Sequence, residues 1–117
     1  TPKGVPVAHA GFAIRMRDMI SRYGFGDQDR CTFNAGVAFD ASVFEIWTAL
    51  LSGATLHIPS DDVKLSPSAY CAFMAEHAIS ISFLPTALME LLFLHWESSP
   101  TPLPALKLMI VGGERLK

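Results

Sequence analysis

Ile79-Ser80-Ile81-Ser82-Phe83-Leu84-Pro85-Thr86 decides the fold, because its apolar residues alternate with serines as in a strand and then stop at a proline. Thr86 is suited to cap a following helix that carries Leu88, Leu91, Leu92 and His95. Upstream, Ser66 and Pro67 open a helix in which Tyr70, Phe73, Met74 and His77 share a face, with proline in the first turn where its missing N–H does no harm. Before that, Ala54 to Ile58 reads as a strand, broken by Pro59, Asp61 and Asp62. On the far side, a proline-rich loop from Ser98 to Pro104 leads to a last strand, Leu106 to Val111, and then to Gly112-Gly113-Glu114.

The N-terminal part continues the pattern. Phe12, Met16, Met19, Ile20 and Tyr23 recur at helical spacing with Arg15, Asp18 and Arg22 between them, and Gly24 is the stop. Cys31-Thr32-Phe33 is a short strand. Ser42-Val43-Phe44-Glu45 has the Ser-x-x-Glu form of a capping box, which predicts a helix from Val43 to about Leu51 with Gly53 at its end. Strands alternating with helices predict βαβ units with right-handed crossovers and an α/β fold: a mainly parallel sheet flanked by helices.

With 117 residues, the chain has room for one domain with a modest core. Half of its residues are apolar, only 17% are charged and the net charge is −2, which excludes a disordered tail and argues against nucleic acid as a partner. The apolar run from Ala87 to Trp96 is interrupted by Glu90 and His95 and falls short of the roughly 20 residues of a membrane span. No membrane association is expected. No signal-peptide pattern follows Thr1, so a cytoplasmic setting is expected. Cys31 and Cys71 have no C-x-x-C spacing and His9, His57, His77 and His95 are scattered, so neither a disulfide nor a metal site is expected.

In an open α/β sheet, ligands bind beyond the carboxyl ends of the strands. Three segments sit there: Phe39-Asp40-Ala41-Ser42, Phe83-Leu84-Pro85-Thr86 and Ile110-Val111-Gly112-Gly113-Glu114. Asp40 has two readings, a carboxylate favoured by the helix dipole at a helix start, or one held in an apolar cleft to meet a cationic group of a ligand. Asp40 and Phe44 are four apart and share a helix face. Gly112-Gly113 is a tight turn or a place where a flat ring approaches the backbone. Lys3, next to Gly4, is a solvated terminal lysine or the end of a phosphate-cradling loop.

Taken together, these segments resemble the AMP-forming synthetase and ligase superfamily, specifically adenylation domains of nonribosomal peptide synthetases. The resemblance rests on Pro2-Lys3-Gly4-Val5, Phe39-Asp40-Ala41-Ser42, Leu50-Leu51-Ser52-Gly53-Ala54 and Gly112-Gly113-Glu114, in that order and spacing, and covers the whole chain. It implies that residues 1–117 are part of the large N-terminal domain of such a ligase, truncated at both ends. It further implies that Lys3 and Gly4 belong to the loop handling the phosphates of ATP and that Asp40 binds the substrate's α-ammonium group. Ala41, Phe44, Phe83, Ile110 and Gly112 would line the side-chain pocket, and Gly113 and Glu114 would border adenine. Two phenylalanines narrow that pocket without a polar partner, which favours a branched aliphatic amino acid, isoleucine ahead of valine or leucine.

The reaction implied is attack of the amino acid's carboxylate on the α-phosphate of ATP, giving an aminoacyl-adenylate and pyrophosphate. No protein nucleophile is required. The adenylate then passes to the phosphopantetheine thiol of a carrier protein, in an assembly line that also holds condensation domains. The Mg²⁺ ligand, the ribose-binding aspartate and the catalytic lysine of the family lie downstream of Glu114, so this piece alone is expected to be inactive. Two rivals remain at this point: an acyl- or aryl-CoA ligase, whose substrate has no amino group for Asp40, and a noncatalytic α/β spacer.

Overall fold

In a computed structural model that describes residues 2–37 and 40–112, helices and strands alternate as the apolar periodicities predict. Helix α1, His9–Tyr23, buries Met16 and half-buries Phe12, Met19, Ile20 and Tyr23, leaving Arg15, Asp18 and Arg22 to solvent. It ends at Gly24, whose φ of 72° is left-handed and lets its N–H donate to the Ile20 carbonyl. Strand β1, Arg30–Thr32, starts one residue earlier than expected. Helix α2, Ala41–Ser52, closes at Gly53, and strand β2, Thr55–His57, follows.

Next comes a one-turn helix, α3, Asp61–Lys64, where the sequence shows only breakers; Ser60 caps it by accepting from the Val63 N–H. Helix α4, Pro67–Glu76, begins as expected, with Ser66 Oγ accepting from the Ala69 N–H. Strand β3, Ile81–Pro85, helix α5, Thr86–Ser98, and strand β4, Leu108–Gly112, complete the described elements. Thr86 is the first residue of α5 rather than its cap. Its hydroxyl donates instead to the Gly112 carbonyl at 3.4 Å, tying α5 to β4.

The strands pair in parallel in the order β2-β1-β3-β4. From β1 the chain moves to one edge to form β2 and then crosses to the other side for β3 and β4, so the order reverses between β1 and β3. Side chains alternate across each strand. Ile81, with Cys31, Leu56, Leu108 and Ile110, packs with Ala49 of α2. Leu84, with Met109 and Val111, packs against Tyr70, Cys71 and Met74 of α4 and Met89 and Leu92 of α5. Helices therefore cover both faces of the sheet.

That double cover changes what Ser80, just before β3, and Ser82, within it, mean. They face protein, not water: Ser80 is 9% exposed and Ser82 not at all. A buried hydroxyl without a partner costs on the order of 1–3 kcal/mol, and both have partners. Ser82 Oγ lies 2.7 Å from Thr32 Oγ1 and 3.2 Å from the Tyr70 hydroxyl. Ser80 Oγ accepts from the Arg30 N–H at 2.9 Å and donates to Asp29 Oδ1 at 2.8 Å. The buried Asp29 carboxylate also meets Lys107 Nζ at 2.9 Å, which pins together the residues entering β1, β3 and β4.

Candidate functional site

Where the strand order reverses, the ends of β1 and β3 diverge and leave a crevice. A cavity of about 570 Å³ opens there. Asn34, Ala35 and Gly36, just past β1, form one wall, and Asp40, Ala41 and Phe44 approach from the start of α2. Phe83 and Pro85 of β3, Ala87 of α5 and Gly112 of β4 form the opposite wall. Five residues singled out in the sequence, Asp40, Ala41, Phe44, Phe83 and Gly112, thus meet around one space.

The remaining candidates stand elsewhere. Ile110 pairs in register with Phe83 but lies two residues below the end of β4. It borders a second, apolar cavity of about 20 Å³ beneath the first, with Phe44 and Phe83 as shared walls. Lys3 and Gly4 are exposed in the segment before α1 and line neither cavity. Gly113 and Glu114, like Phe39, lie outside the described residues.

Asp40 is the N-cap of α2 but makes no side-chain cap hydrogen bond; only its carbonyl accepts, from the Val43 N–H at 3.0 Å. The side chain is exposed, at the mouth of the cavity rather than enclosed by it. It forms no ion pair with another described residue. Asp40 and Phe44 share a helix face and both line the cavity, as their spacing requires. The Phe44 ring is held from outside by Arg15 of α1, whose guanidinium carbon is 5.7 Å from the ring centre, a cation–π contact.

The capping box does not form. Glu45, 4% exposed, turns away from the Ser42 backbone and accepts from the Asn34 N–H at 2.8 Å and the Ala35 N–H at 2.7 Å. Burial pushes its carboxyl above the usual range, and the two N–H groups partly offset that. Asn34 in turn donates from Nδ2 to the Phe83 carbonyl at 2.8 Å and to Thr32 Oγ1 at 3.1 Å. Sequence reasoning passed over Asn34, Ala35 and Gly36. The signal was available, since they follow a strand, the same rule that picked out Phe83 and Gly112.

Among the described residues there is no group of three or more histidine, cysteine, aspartate or glutamate side chains placed to hold a metal. None of their helices is long and apolar enough to cross a membrane.

The model of the AMP-binding enzyme family matches residues 1–117. The chain belongs to the AMP-binding enzyme family. A linear gramicidin synthase of Brevibacillus parabrevis is 44% identical over 117 residues, 99% of this chain and 2% of the synthase. Cyclosporin synthetase simA of Tolypocladium inflatum is 36% identical over 115 residues, 98% of this chain and 1% of the synthetase. This member of the AMP-binding family therefore spans a small fraction of the curated relatives it matches. Among solved structures, the nonribosomal peptide synthetase FmoA3 in its AMPPNP-bound form superposes with a TM-score of 0.89 at 32% identity, over 99% of this chain and 13% of that one. The adenylation domain AlmE of Vibrio cholerae, in complex with glycyl-adenosine-5'-phosphate, has a TM-score of 0.73 at 26% identity, over 86% of this chain and 19% of that one. The family match and these neighbours bear out an α/β piece of an adenylation domain.

Proposed function

We propose that this chain forms the amino-acid-binding part of an adenylation domain in a nonribosomal peptide synthetase, which joins an amino acid to AMP and releases pyrophosphate. One observation carries the reading: Asp40 places an exposed carboxylate, with no ion pair to another described residue, at the mouth of a cavity whose other walls include Ala41, Phe44, Phe83, Pro85, Ala87 and Gly112. Such a carboxylate above an apolar space suits a ligand with an ammonium group at one end and an apolar side chain at the other. An acyl-CoA ligase has no use for that charge. The flanking Phe44 and Phe83 rings favour a branched aliphatic side chain, isoleucine ahead of valine or leucine.

In this reading the amino acid's carboxylate oxygen bonds to the α-phosphorus of ATP as the bond to the pyrophosphate oxygen breaks. The chain's contribution is to bind and orient. Lys3 and Gly4 end the loop that handles the phosphates, and Gly113 and Glu114 border adenine. The acidic residue that holds Mg²⁺ belongs to the part of the domain downstream of Glu114. The product goes to the phosphopantetheine thiol of a carrier domain, beside condensation domains, in the cytoplasm.

The test is amino-acid-dependent pyrophosphate exchange by the full-length protein, with a panel of amino acids. Isoleucine, valine or leucine should give the highest rate. Asp40→Ala should lower kcat/KM for the preferred amino acid by about 3 kcal/mol, roughly 100-fold or more, as for an ion pair that the bound amino acid itself covers. Undiminished activity in that variant would remove Asp40 from the role and reopen the ligase reading without an amino group.

A further inference from the structure

We propose that Glu45 and Asn34 are positioning residues that hold the two walls of the cavity together across the switch point and thereby set the affinity for the amino acid. The inference rests on the function proposed above.

The sheet itself explains why such a device is needed. β3 and β4 stay paired from Ile81↔Leu108 to Pro85↔Gly112, right up to the cavity. β1 and β3 share a single register pair, Cys31↔Ile81. Past Thr32 no ladder joins the loop of Asn34 and Ala35 to β3, although both flank the same space. Asn34 fills that gap. Its side-chain amide donates to the Phe83 carbonyl at 2.8 Å, so a side chain does what the backbone ladder has ceased to do.

Glu45 fastens the same loop from the other direction. Its two carboxylate oxygens take the N–H groups of Asn34 and Ala35, one each, at 2.8 and 2.7 Å. A carboxylate 4% exposed inside a helix packed on a sheet is costly, and packing alone would be served better by an apolar residue. Its partners lie ten and eleven positions earlier, so it does not serve its own helix. The result is a loop tied to α2 through its backbone and to β3 through its side chain. Each of the three elements also supplies a cavity wall, through Ala35, Phe44 and Phe83. Thr32 Oγ1, which accepts from Asn34 Nδ2 and lies 2.7 Å from Ser82 Oγ, extends the network to the Tyr70 hydroxyl of α4.

Glu45→Gln leaves one of the two N–H groups without an acceptor, while Asn34→Ala removes the side-chain bonds to Phe83 and Thr32 and keeps both backbone N–H bonds to Glu45. In the full-length protein each should raise KM for the preferred amino acid at least about 10-fold, with KM for ATP and kcat within about twofold of the parent. Exchange of the amides of residues 34–36 with deuterium should quicken at least about 10-fold in Glu45→Gln, with β4 unchanged. Unaltered KM for the amino acid in both variants, or equal losses toward ATP and amino acid, would overturn the positioning role. A parent protein inert to every amino acid would sink the proposed function instead. The clamp would then stand or fall on the amide exchange, and unchanged exchange at 34–36 would refute it.

Discussion

Phe83 Cζ stands 3.5 Å from where a Cβ on Gly112 would sit, ordinary van der Waals contact, so the residue at 112 sets the space beside the ring. Gly112 does not have a positive φ, so a side chain there is not strained by the backbone. Gly112→Ala should therefore fold normally and admit smaller substrates. Gly112→Val, with two more methyl groups directed at Phe83, should shift preference from isoleucine toward alanine or glycine. Competitive pyrophosphate exchange measures the shift, and an unchanged ranking in the valine variant would place the side-chain site elsewhere.

Asp29 ties together the residues entering three strands. Burial pushes its pKa up, but hydrogen bonds from Lys107, Ser80 and the Gly26 N–H, with the Lys107 charge, outweigh that and hold it below the usual value. A carboxyl whose pKa is lowered on folding contributes stability above its unfolded value, about 4, and loses it as the pH falls through the folded one. Asp29→Asn should cost about 2 kcal/mol at neutral pH, less than a fully enclosed pair because Lys107 is half exposed. The variant should also lose less stability than the parent between neutral pH and about pH 3, as read by denaturant unfolding.

Glu45 has the opposite sign. Burial raises its pKa, so the native state binds the proton more tightly and this group's contribution falls as pH rises from its unfolded value through its folded one. Glu45→Gln should remove that decline, a difference that unfolding at about pH 4 and pH 7 would detect.

Two glycines end helices with left-handed backbones but differ in their surroundings. Nothing lies within 4 Å of a Cβ on Gly24, whereas one on Gly53 would meet Asp27 Cβ at 3.3 Å. Gly24→Ala should cost about 1 kcal/mol, the backbone cost alone, and Gly53→Ala distinctly more. Thermal unfolding of the two variants gives the order directly; equal losses would mean that Asp27 gives way freely.

Cys31 and Cys71 are free and buried. Burial, aided by the charge of Asp29, pushes the Cys31 thiol up to about 12, and burial raises Cys71 as well. Neither should react with a thiol reagent at about pH 8 until denaturant is added. Prompt modification of either in the native protein would contradict the packing.

Local signals were legible wherever the chain acts over a few residues. Gly24 and Gly53 stop their helices, and Ser66 with Pro67 starts one. Signals failed where the partner is distant. Ser42 and Glu45 have the spacing of a cap, yet the acceptor is used by a loop that only the fold brings near. Ser80 and Ser82 alternate like solvent-facing residues, but both are buried, Ser80 against Asp29 and Arg30 and Ser82 beneath Tyr70 of α4. Ile110 shares a sheet face with Gly112, and alternation alone does not show that it sits too deep to reach the larger cavity. Asp40, Ala41, Phe44, Phe83 and Gly112 were found because topology places strand ends together whatever the side chains are.

The unequal lengths of the β1–β3 and β3–β4 ladders give the crevice one stiff bank and one soft one. Phe83 and Gly112 are gripped within an unbroken ladder that runs from Ile81↔Leu108 to Pro85↔Gly112. Residues 34–36 hang from side-chain hydrogen bonds to Glu45 and from the Asn34 amide on Phe83. On the stiff bank a side chain changes inside a paired ladder, where there is room for little beyond a methyl such as Gly112→Ala, while Ala35 and Gly36 lie outside any ladder. A library aimed at new substrates should therefore draw most of its folded members from the loop and most of its dead ones from β3 and β4.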